Sequence, residues 1–211
     1  MTPTIIKNAT LYNCDCMELM KTFADKQFDL AIVDPPYGIG MGGGKVGNSK
    51  TDYKQFAGED NEIPTKEYYD ELMRISKNQI IWGANYMIQH LYPTSCFIVW
   101  DKVQPEDFTM AMAEFAWTSF NSPAKIYKQR IVGADRERIH PTQKPVKMYQ
   151  WLLENYAEPG QTILDTHLGS GSIAIACNDM GFNLTACELD KDYFEEACKR
   201  IKREAQQERL F

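Results

Sequence analysis

Short apolar runs that alternate with helical stretches are the feature that most limits how this chain can fold. The runs are rich in Ile, Val, Phe and Trp and end at polar residues or glycine, as buried strands do. They predict seven strands, at residues 9–13, 28–33, 79–82, 96–101, 125–129, 162–165 and 183–188. Continuous apolar strands separated by helices predict an α/β fold, in which helices cover both faces of a mostly parallel sheet.

Helices are predicted where apolar residues recur every three or four positions, as between Tyr149 and Tyr156. The predicted segments are residues 17–23, 65–76, 85–90, 106–117, 146–156, 172–180 and 192–207. Two stretches follow neither pattern. Residues 38–64 contain seven glycines, and residues 129–140 are short, polar and charged, so both are predicted to be loops.

The length of 211 residues predicts a single domain over residues 1–211. The first residues hold no apolar signal core and no apolar run approaches the ~20 residues that span a bilayer, so we expect a cytoplasmic protein with no membrane partner. The six cysteines form no Cys-x-x-Cys pair. We expect them to pack as small apolar groups rather than form disulfides or bind a metal.

The charge of the chain is uneven. Its net charge of −6 argues against unspecific coating of nucleic acid but allows a local basic face. Residues 125–147 hold seven Lys or Arg side chains and two acids. This stretch is either a solvated face or a surface that contacts phosphates.

The first motif with chemical content is Asp34-Pro35-Pro36-Tyr37, directly after the predicted strand 28–33. Ligands of open α/β sheets bind at the carboxyl ends of strands. An Asp carboxylate and a Pro carbonyl together can accept both hydrogens of an exocyclic amine, and the aromatic ring can stack on the base that carries it. Acceptors so placed stabilise the positive charge that develops when the amine attacks an electrophile. Two prolines alone would indicate only a turn, whereas the whole run after a buried strand favours function.

The second motif begins with Asp165 at the end of the predicted strand 162–165 and continues through the glycine turn 169–171 into a helix. A strand, a glycine turn and a helix N-terminus bring backbone N–H groups close to a ligand. Glu188 ends the next strand, 23 residues beyond Asp165, where an acid suits the two hydroxyls of a ribose. Together these features predict a nucleoside cofactor.

The third motif is His140-Pro-Thr-Gln-Lys-Pro145, just before the predicted helix 146–156. One interpretation is that Pro145 simply starts that helix. The functional interpretation is that Thr142, Gln143 and Lys144 offer polar groups and a cation to a ligand carboxylate.

These three motifs, in this order, resemble the S-adenosylmethionine-dependent DNA amino-methyltransferases of the permuted β type. Residues 81–86 and 97–102 resemble the compact phage and prophage members of that group. The resemblance covers nearly the whole chain. It implies a Rossmann-like class I methyltransferase fold with a seven-stranded, mostly parallel sheet and a circularly permuted motif order.

The resemblance also assigns residues. It implies a catalytic role for Asp34, Pro35, Pro36 and Tyr37. It implies contacts to S-adenosylmethionine by Asp15, Asp34, Thr142, Gln143, Lys144, Asp165, His167, Gly169, Ser170, Gly171 and Glu188. The match of Asp15 is the weaker one, because a lone Asp after a strand is more often a turn or N-cap residue. His167 stands where the family often has an aromatic residue, so it either replaces that residue against the cofactor or is a structural hydrogen-bonding group.

Many members of the family carry a target recognition domain, for which this chain has only residues 129–140. Recognition is therefore expected from this loop, from a glycine-rich loop 38–64 that is mobile alone and ordered on DNA, or from a second subunit of a homodimer. Tyr37 is expected to stack on a flipped base, with Trp82 a weaker candidate because it also suits the core. Contacts to double-stranded DNA are expected from Lys45, Lys50, Lys54, Lys128, Arg130, Arg136 and Arg138.

The predicted reaction transfers a methyl group to N6 of adenine in DNA, because the motif begins with Asp and cytosine-N4 enzymes of the family more often begin with Ser. Three alternatives remain at this point. One is a cytosine-N4 methyltransferase. The second keeps the chemistry but acts on RNA or on a protein side-chain amide, although Asp34 at the start of the motif argues against the amide. The third is an inactive module that binds the cofactor and acts in DNA binding or regulation.

Overall fold

A computed structural model describes residues 1–40, 44–45, 52–53, 62–105, 111–130, 135, 138–140 and 142–206. The described residues form a nine-stranded sheet and a separate two-stranded hairpin. The large sheet contains β1 (Thr4–Ile6), β2 (Ala9–Asn13), β3 (Phe28–Val33), β6 (Ser76–Trp82), β7 (Phe97–Asp101), β8 (Ala113–Thr118), β9 (Lys125–Lys128), β10 (Thr162–Asp165) and β11 (Asn183–Glu188). The hairpin pairs β4 (Gly44–Lys45) with β5 (Asp52–Tyr53).

The order of the large sheet is β1-β2-β11-β10-β3-β6-β8-β7-β9. Its centre, from β2 to β6, is parallel, and β1 and β8 pair antiparallel with their neighbours. The α/β prediction is confirmed, but the count of seven strands is wrong because β1 and β8 also join the sheet. Both additions lie outside the parallel centre that the apolar runs predicted.

The helix predicted for residues 106–117 is wrong where it can be compared. Residues 106–110 lie outside the described residues, and residues 113–118 form β8. This strand lies between β6 and β7, with Trp117 opposite Ile81 on one side and Phe97 on the other. Ladder bonds on both edges outweigh the helix propensity of the Ala and Glu residues in this segment.

Five helices are described: α1 (Cys16–Met20), α2 (Lys66–Ile75), α3 (Val146–Tyr156), α4 (Ser172–Met180) and α5 (Lys191–Gln206). The predicted helix 85–90 is instead two short 3₁₀ turns, Ala84–Tyr86 and Ile88–His90. No helix among the described residues is long and apolar enough to cross a membrane.

The helices cover both faces of the sheet. Leu30 and Ile32 of β3 belong to an apolar cluster with residues of α3, α4 and α5. Ala31 and Val33, on the opposite face of the same strand, belong to a cluster with residues of α2. Alternate residues of one strand therefore pack against different helical layers, as the near-continuous apolar run predicts.

The parallel strands all end at one edge of the sheet. Asp34 follows β3, Asp165 ends β10 and Glu188 ends β11, so the topology brings these three acids to the same edge. This edge is where an open α/β sheet binds its ligands. Most of residues 38–64, for which mobility is predicted, lie outside the described residues. Half of the predicted loop 129–140 lies outside them as well.

Candidate active site

The segment after β3 holds its carboxylate at the sheet edge. β3 is buried along its length, and Pro35 is buried directly after Asp34. Proline fixes φ and lacks an N–H group, so the backbone turns away from the ladder with its carbonyl groups available as acceptors. The Asp34 side chain is only 16% exposed.

Asp34 is engaged by two groups of the protein. One carboxylate oxygen accepts a hydrogen bond of 2.6 Å from the Tyr37 hydroxyl, and the other is paired with the Lys144 ammonium. Lys144 also donates to the Tyr37 hydroxyl at 3.0 Å. The Asp34–Tyr37 motif and the third sequence motif, more than one hundred residues apart in the chain, thus form one buried ionic cluster.

A second acid completes this cluster. Glu114 of β8 lies 3.3 Å from the Lys144 ammonium through one carboxylate oxygen, and 2.6 Å from the Lys102 ammonium through the other. The side chains of Lys144 and Lys102 are 3% and 6% exposed. Two carboxylates and two ammonium groups therefore balance one another in a largely buried site, which is the condition for burying charges.

The surroundings shift the ionisation of these groups. Burial raises the pKa of Asp34 and outweighs the opposing attraction of Lys144. Burial acts on Glu114 in the same sense, but the two nearby lysines outweigh it and lower the pKa of that carboxyl. The two carboxylates raise the pKa of Lys144 against the effect of burial. Lys144 is accordingly held as a cation between Asp34 and Glu114.

The aromatic ring of Tyr37 lies in a close-fitting position. It is stacked on Tyr86, with ring centroids 5.4 Å apart and planes 20° from parallel. A Cβ atom at Gly83 would lie 2.2 Å from the ring, and Gly83 has φ +71°, so glycine is required there by both space and backbone. Trp82 is fully buried, as its core interpretation predicts. Tyr86 is exposed and is the aromatic surface that borders the motif.

The glycine turn between β10 and α4 lies beside these groups. Gly169 and Gly171 both have positive φ, and the Gly169 N–H donates to a Glu188 carboxylate oxygen at 2.8 Å. Arg200 of α5 donates to the Ser170 carbonyl at 2.8 Å and pairs with Asp135 at 3.1 Å. The turn predicted from the sequence is therefore held from both sides by side chains of later elements.

Two acids at this turn have the character of a site for a cationic, hydroxyl-bearing ligand. Burial raises the pKa of Asp165 to about 8, with the charges of Asp34 and Glu188 adding to the effect. Each Glu188 oxygen accepts one backbone N–H, from Gly169 or Asp190, and a carboxylate oxygen can accept a further hydrogen bond from a hydroxyl. A ribose diol fits the Glu188 carboxylate, and a positively charged ligand would lower the raised pKa of Asp165 and bring it into the carboxylate form.

His167 lies in a small hydrogen-bonded group. Its Nδ1 is 2.9 Å from the Thr166 hydroxyl, which is 2.7 Å from the Tyr68 hydroxyl. Burial lowers the pKa of His167 to about 4, so the ring is neutral at pH 7. The structural role foreseen for this residue is thus present, and a contact to the cofactor stays a prediction.

The remaining residues of the third motif are turned to protein partners or to solvent. Gln143 is buried, donates to Asp135 at 2.9 Å and accepts from the Ile139 N–H at 3.0 Å. Thr142 is exposed, and its hydroxyl is 3.1 Å from His140 Nδ1. Among the three, Lys144 is the one that reaches the ionic cluster.

Asp15 is the N-cap of α1. Its Oδ1 accepts from the N–H groups of Met17 at 2.7 Å and Glu18 at 3.2 Å. The capping interpretation of this residue is therefore confirmed, and its contact to the cofactor adenine stays a prediction.

The basic residues expected on DNA are described only in part. Lys128 and Arg130 are exposed, with Lys128 3.6 Å from Asp101, and the exposed Arg138 donates to the His140 carbonyl at 3.3 Å. Lys45 belongs to β4, and its side chain is outside the described part. Lys50, Lys54 and Arg136 lie outside the described residues altogether.

Sequence reasoning missed Glu114, Lys102 and Tyr86. Glu114 was placed on a predicted helix, although the alternation of residues 113–118 is also compatible with a strand whose acid faces one side. Lys102 follows β7 directly, which is the same position relative to a strand that made Asp34 a candidate. Tyr86 lies in a 3₁₀ turn within a segment that was predicted to be a helix, and no site role was assigned to it.

The fold and the site together define a class I methyltransferase-like α/β protein with an acid-Pro-Pro-Tyr motif at its ligand edge. The sequence pattern of the N6_N4_Mtase family, described as DNA methylase, matches residues 49–199. The chain belongs to this family of DNA methylases. The match begins after Asp34–Tyr37, so the Asp-Pro-Pro-Tyr motif is evidence that the family match does not include. The family confirms the prediction of a DNA methyltransferase that depends on S-adenosylmethionine.

Individual relatives are more distant. The chain is similar to the Type II methyltransferase M.HinfI of Haemophilus influenzae, with 23% identity over 92% of this chain and 68% of the relative. Its fold is similar to that of M1.HpyAVI, solved as a complex with SAM, with a TM-score of 0.61, 21% identity and coverage of 91% and 99%. It is also similar to PvuII DNA methyltransferase, a cytosine-N4-specific enzyme, with a TM-score of 0.65, 10% identity and coverage of 97% and 88%.

Proposed function

We propose that this chain methylates the N6 amine of adenine in DNA. The observation that carries the proposal is the buried Asp34 carboxylate beside Pro35, on the same sheet edge as Asp165 and Glu188. This edge combines an acceptor pair for an amine with acids suited to a cationic nucleoside. The permuted β arrangement and the kinship to compact phage enzymes belong to the same proposal.

Asp34 and the Pro35 carbonyl are the catalytic acceptors. Each takes one hydrogen of the base amine, which holds its lone pair toward the methyl group. The amine nitrogen becomes positive as it attacks, and the Asp34 carboxylate stabilises that charge. The cofactor would leave as a neutral thioether once its bond to the methyl group is broken, and the methylated amine would then release one proton to water. Pro36 fixes the backbone that carries both acceptors.

S-adenosylmethionine is the methyl donor and supplies an electrophilic methyl group when bound. Glu188 would hold its ribose hydroxyls, and Asp165 would face its positive charges. The backbone of Gly169, Ser170 and Gly171 would border it, with His167 as a neutral neighbour. Asp15, Thr142, Gln143 and Lys144 complete the proposed set.

The target base has to leave the duplex to reach Asp34, because a stacked base keeps its amine inside the helix. We place it against Tyr37, after Tyr86 has moved or with Tyr86 as the next aromatic surface. The glycine-rich loop 38–64, the short loop 129–140 and their basic residues would contact the surrounding DNA. A homodimer would enlarge this surface.

Mass spectrometry of nucleosides tests the choice of base. The protein is incubated with S-adenosylmethionine and unmethylated DNA of mixed sequence, and the DNA is digested and analysed. N6-methyladenine is expected. N4-methylcytosine would keep the mechanism and overturn the base assignment. The similarity of the fold to the cytosine-N4-specific PvuII enzyme favours this second outcome. Cofactor binding without any methylated base would favour the inactive module.

A further inference from the structure

We propose that Glu114 is a positioning residue, which takes over the Lys144 ammonium from Asp34 when the target base arrives. The inference rests on the proposed role of Asp34 as the acceptor of the base amine. It assigns a function to an acid that neither the sequence motifs nor the family match singled out.

The present contacts of Asp34 are the reason such a residue is needed. One of its oxygens is bonded to Tyr37 and the other is paired with Lys144. An ammonium group on the carboxylate weakens it as an acceptor. It also opposes a second positive charge on the amine only a few ångströms away, because charges of like sign repel strongly in a site of low dielectric constant. Lys144 therefore has to give up Asp34 before the amine is polarised.

Lys144 has no inexpensive route to solvent. Its side chain is 3% exposed, and its ammonium lies near the rings of Tyr37 and Trp82, at 5.5 and 5.4 Å from their centroids. Separating a buried cation from its carboxylates is costly. A second carboxylate within reach removes that cost.

Glu114 has the position and charge for this task. One of its oxygens is already 3.3 Å from the Lys144 ammonium, so a small rotation of the lysine side chain is sufficient. Its other oxygen is held by Lys102 at 2.6 Å, which keeps the carboxylate in place and ionised. The cluster stays neutral during the exchange, because Lys144 then pairs with Glu114 and Asp34 receives the developing charge of the amine.

The test compares Glu114→Gln with Glu71→Gln as a matched control. Glu71 is also ion-paired, 2.9 Å from Arg74, and its side chain is 25% exposed against 22% for Glu114. It lies in the second half of α2, which leads into the start of β6, away from the carboxyl edge of the sheet. Single-turnover methylation of unmethylated mixed-sequence DNA is measured beside the dissociation constant of S-adenosylmethionine.

Glu114→Gln is expected to slow the methylation rate by about tenfold or more, while the cofactor dissociation constant changes less than twofold. The acidic limb of its pH–rate profile should move to lower pH, because the Glu114 charge raises the pKa of Asp34. Four other titratable groups interact with Asp34 and are unchanged in this variant, namely Tyr37, Lys144, Asp165 and Tyr149. Glu114→Asp, which keeps the charge, should retain the wild-type limb. A merely structural role would lower the rate without moving the limb.

A wild-type rate in Glu114→Gln would overturn the inference. If that variant does not fold because Lys102 is left unpaired, Lys102→Met/Glu114→Gln removes both charges and replaces it in the assay. A slow double variant with normal cofactor binding supports the inference, and a fast one overturns it. Failure of the wild-type protein to methylate DNA would instead count against the proposed function itself.

Discussion

At the scale of single residues, Tyr86 is the aromatic side chain that stands between solvent and the proposed catalytic motif. It is 41% exposed and stacks on Tyr37, where a planar ring of another kind could also stack. An extruded base would meet this ring before it reached Asp34. Base–aromatic stacking contributes roughly 1–3 kcal/mol.

Tyr86→Ala is therefore expected to weaken productive DNA binding by about tenfold or more, since one stacking partner is lost. Steady-state kinetics with varied DNA would show this as a raised KM, with cofactor affinity unchanged. Tyr92→Ala is the control, because Tyr92 is exposed by 55% on the same stretch of chain but packs against Trp117. Equal kinetics for the two variants would count against a role of Tyr86 at the base.

Asp165 should make the stability of the protein depend on pH. Its pKa is about 8 in the folded protein and 3.8 in an unperturbed chain, chiefly because of burial. The folded protein therefore holds a proton that the unfolded chain releases. The stabilisation is fully present below about pH 4 and is lost as the pH rises toward 8.

Between pH 5 and pH 7, this group should lower the free energy of unfolding by about 1.4 kcal/mol per pH unit. Urea unfolding of wild type and Asp165→Asn measures it, because Asn mimics the protonated acid and can still accept from His167. The difference between the two proteins should grow with pH. Parallel curves would show that Asp165 is ionised in the folded state.

Several candidate site residues could be predicted from the sequence, and others could not. Asp34, Asp165 and Glu188 were identifiable because each ends a strand of the parallel centre, where topology determines their place. The pairing of Lys144 with Asp34 was not predictable, because it depends on how two segments more than one hundred residues apart pack. Glu114 was hidden for the same reason.

At the scale of elements, the turn after β6 controls the position of Tyr37. Gly83 starts the 3₁₀ turn Ala84–Tyr86 with φ +71°, and its Cα faces the Tyr37 ring. Gly181 after α4 has a similar φ of +78°, but a Cβ there would meet nothing within 4 Å. Substitutions at the two glycines therefore distinguish the effect of backbone strain from the effect of displacing Tyr37.

Gly181→Ala should cost about 1–2 kcal/mol of stability through backbone strain and leave methylation intact. Gly83→Ala carries the same strain and also pushes against Tyr37, so it should in addition reduce methyl transfer severalfold. Thermal unfolding and a turnover assay measure the two effects. Normal turnover in Gly83→Ala would mean that Tyr37 can shift without consequence.

Elements with a uniform local signal were predicted to within a few residues, among them β2, β3, β10, β11, α3 and α4. The strand β8 was not, since its Ala and Glu residues also suit a helix and its state depends on the free edges of β6 and β7. The short edge strand β1 has only three residues, which is too few for a periodic pattern.

At the scale of the whole molecule, an acidic chain has to bind a polyanion. The net charge of −6 makes a local basic surface necessary. Lys128 ends β9 and Arg130 lies two residues beyond it, and both are exposed members of the predicted surface beside the last strand of the sheet. Each phosphate contact contributes about −0.9 to the slope of log K against log salt.

Lys128→Ala and Arg130→Ala should each reduce the slope by about one if the residue contacts a phosphate. DNA binding at several salt concentrations measures it. Lys77→Ala is the control, because Lys77 is exposed but begins β6 at the opposite edge and pairs with Asp29 at 2.7 Å. The same slope in all three variants would show that the DNA does not contact Lys128 or Arg130.

The alternation of strands and helices sufficed to predict the architecture, because parallel strands need crossover helices and meet at one edge. It could not predict the strand count, because β1 is too short for a periodic pattern and the sequence of β8 also suits a helix. The ligand edge was predictable for the same topological reason, and its internal ion pairs were not.

The most direct measurement compares wild type with Asp34→Ala. N6-methyladenine formation in unmethylated DNA is quantified by mass spectrometry, and the affinity for S-adenosylmethionine is measured on the same preparations. We expect the variant to bind the cofactor within a few-fold of wild type and to form no N6-methyladenine above background. Near wild-type methylation by Asp34→Ala would contradict the assignment of Asp34 as the group that accepts and stabilises the base amine.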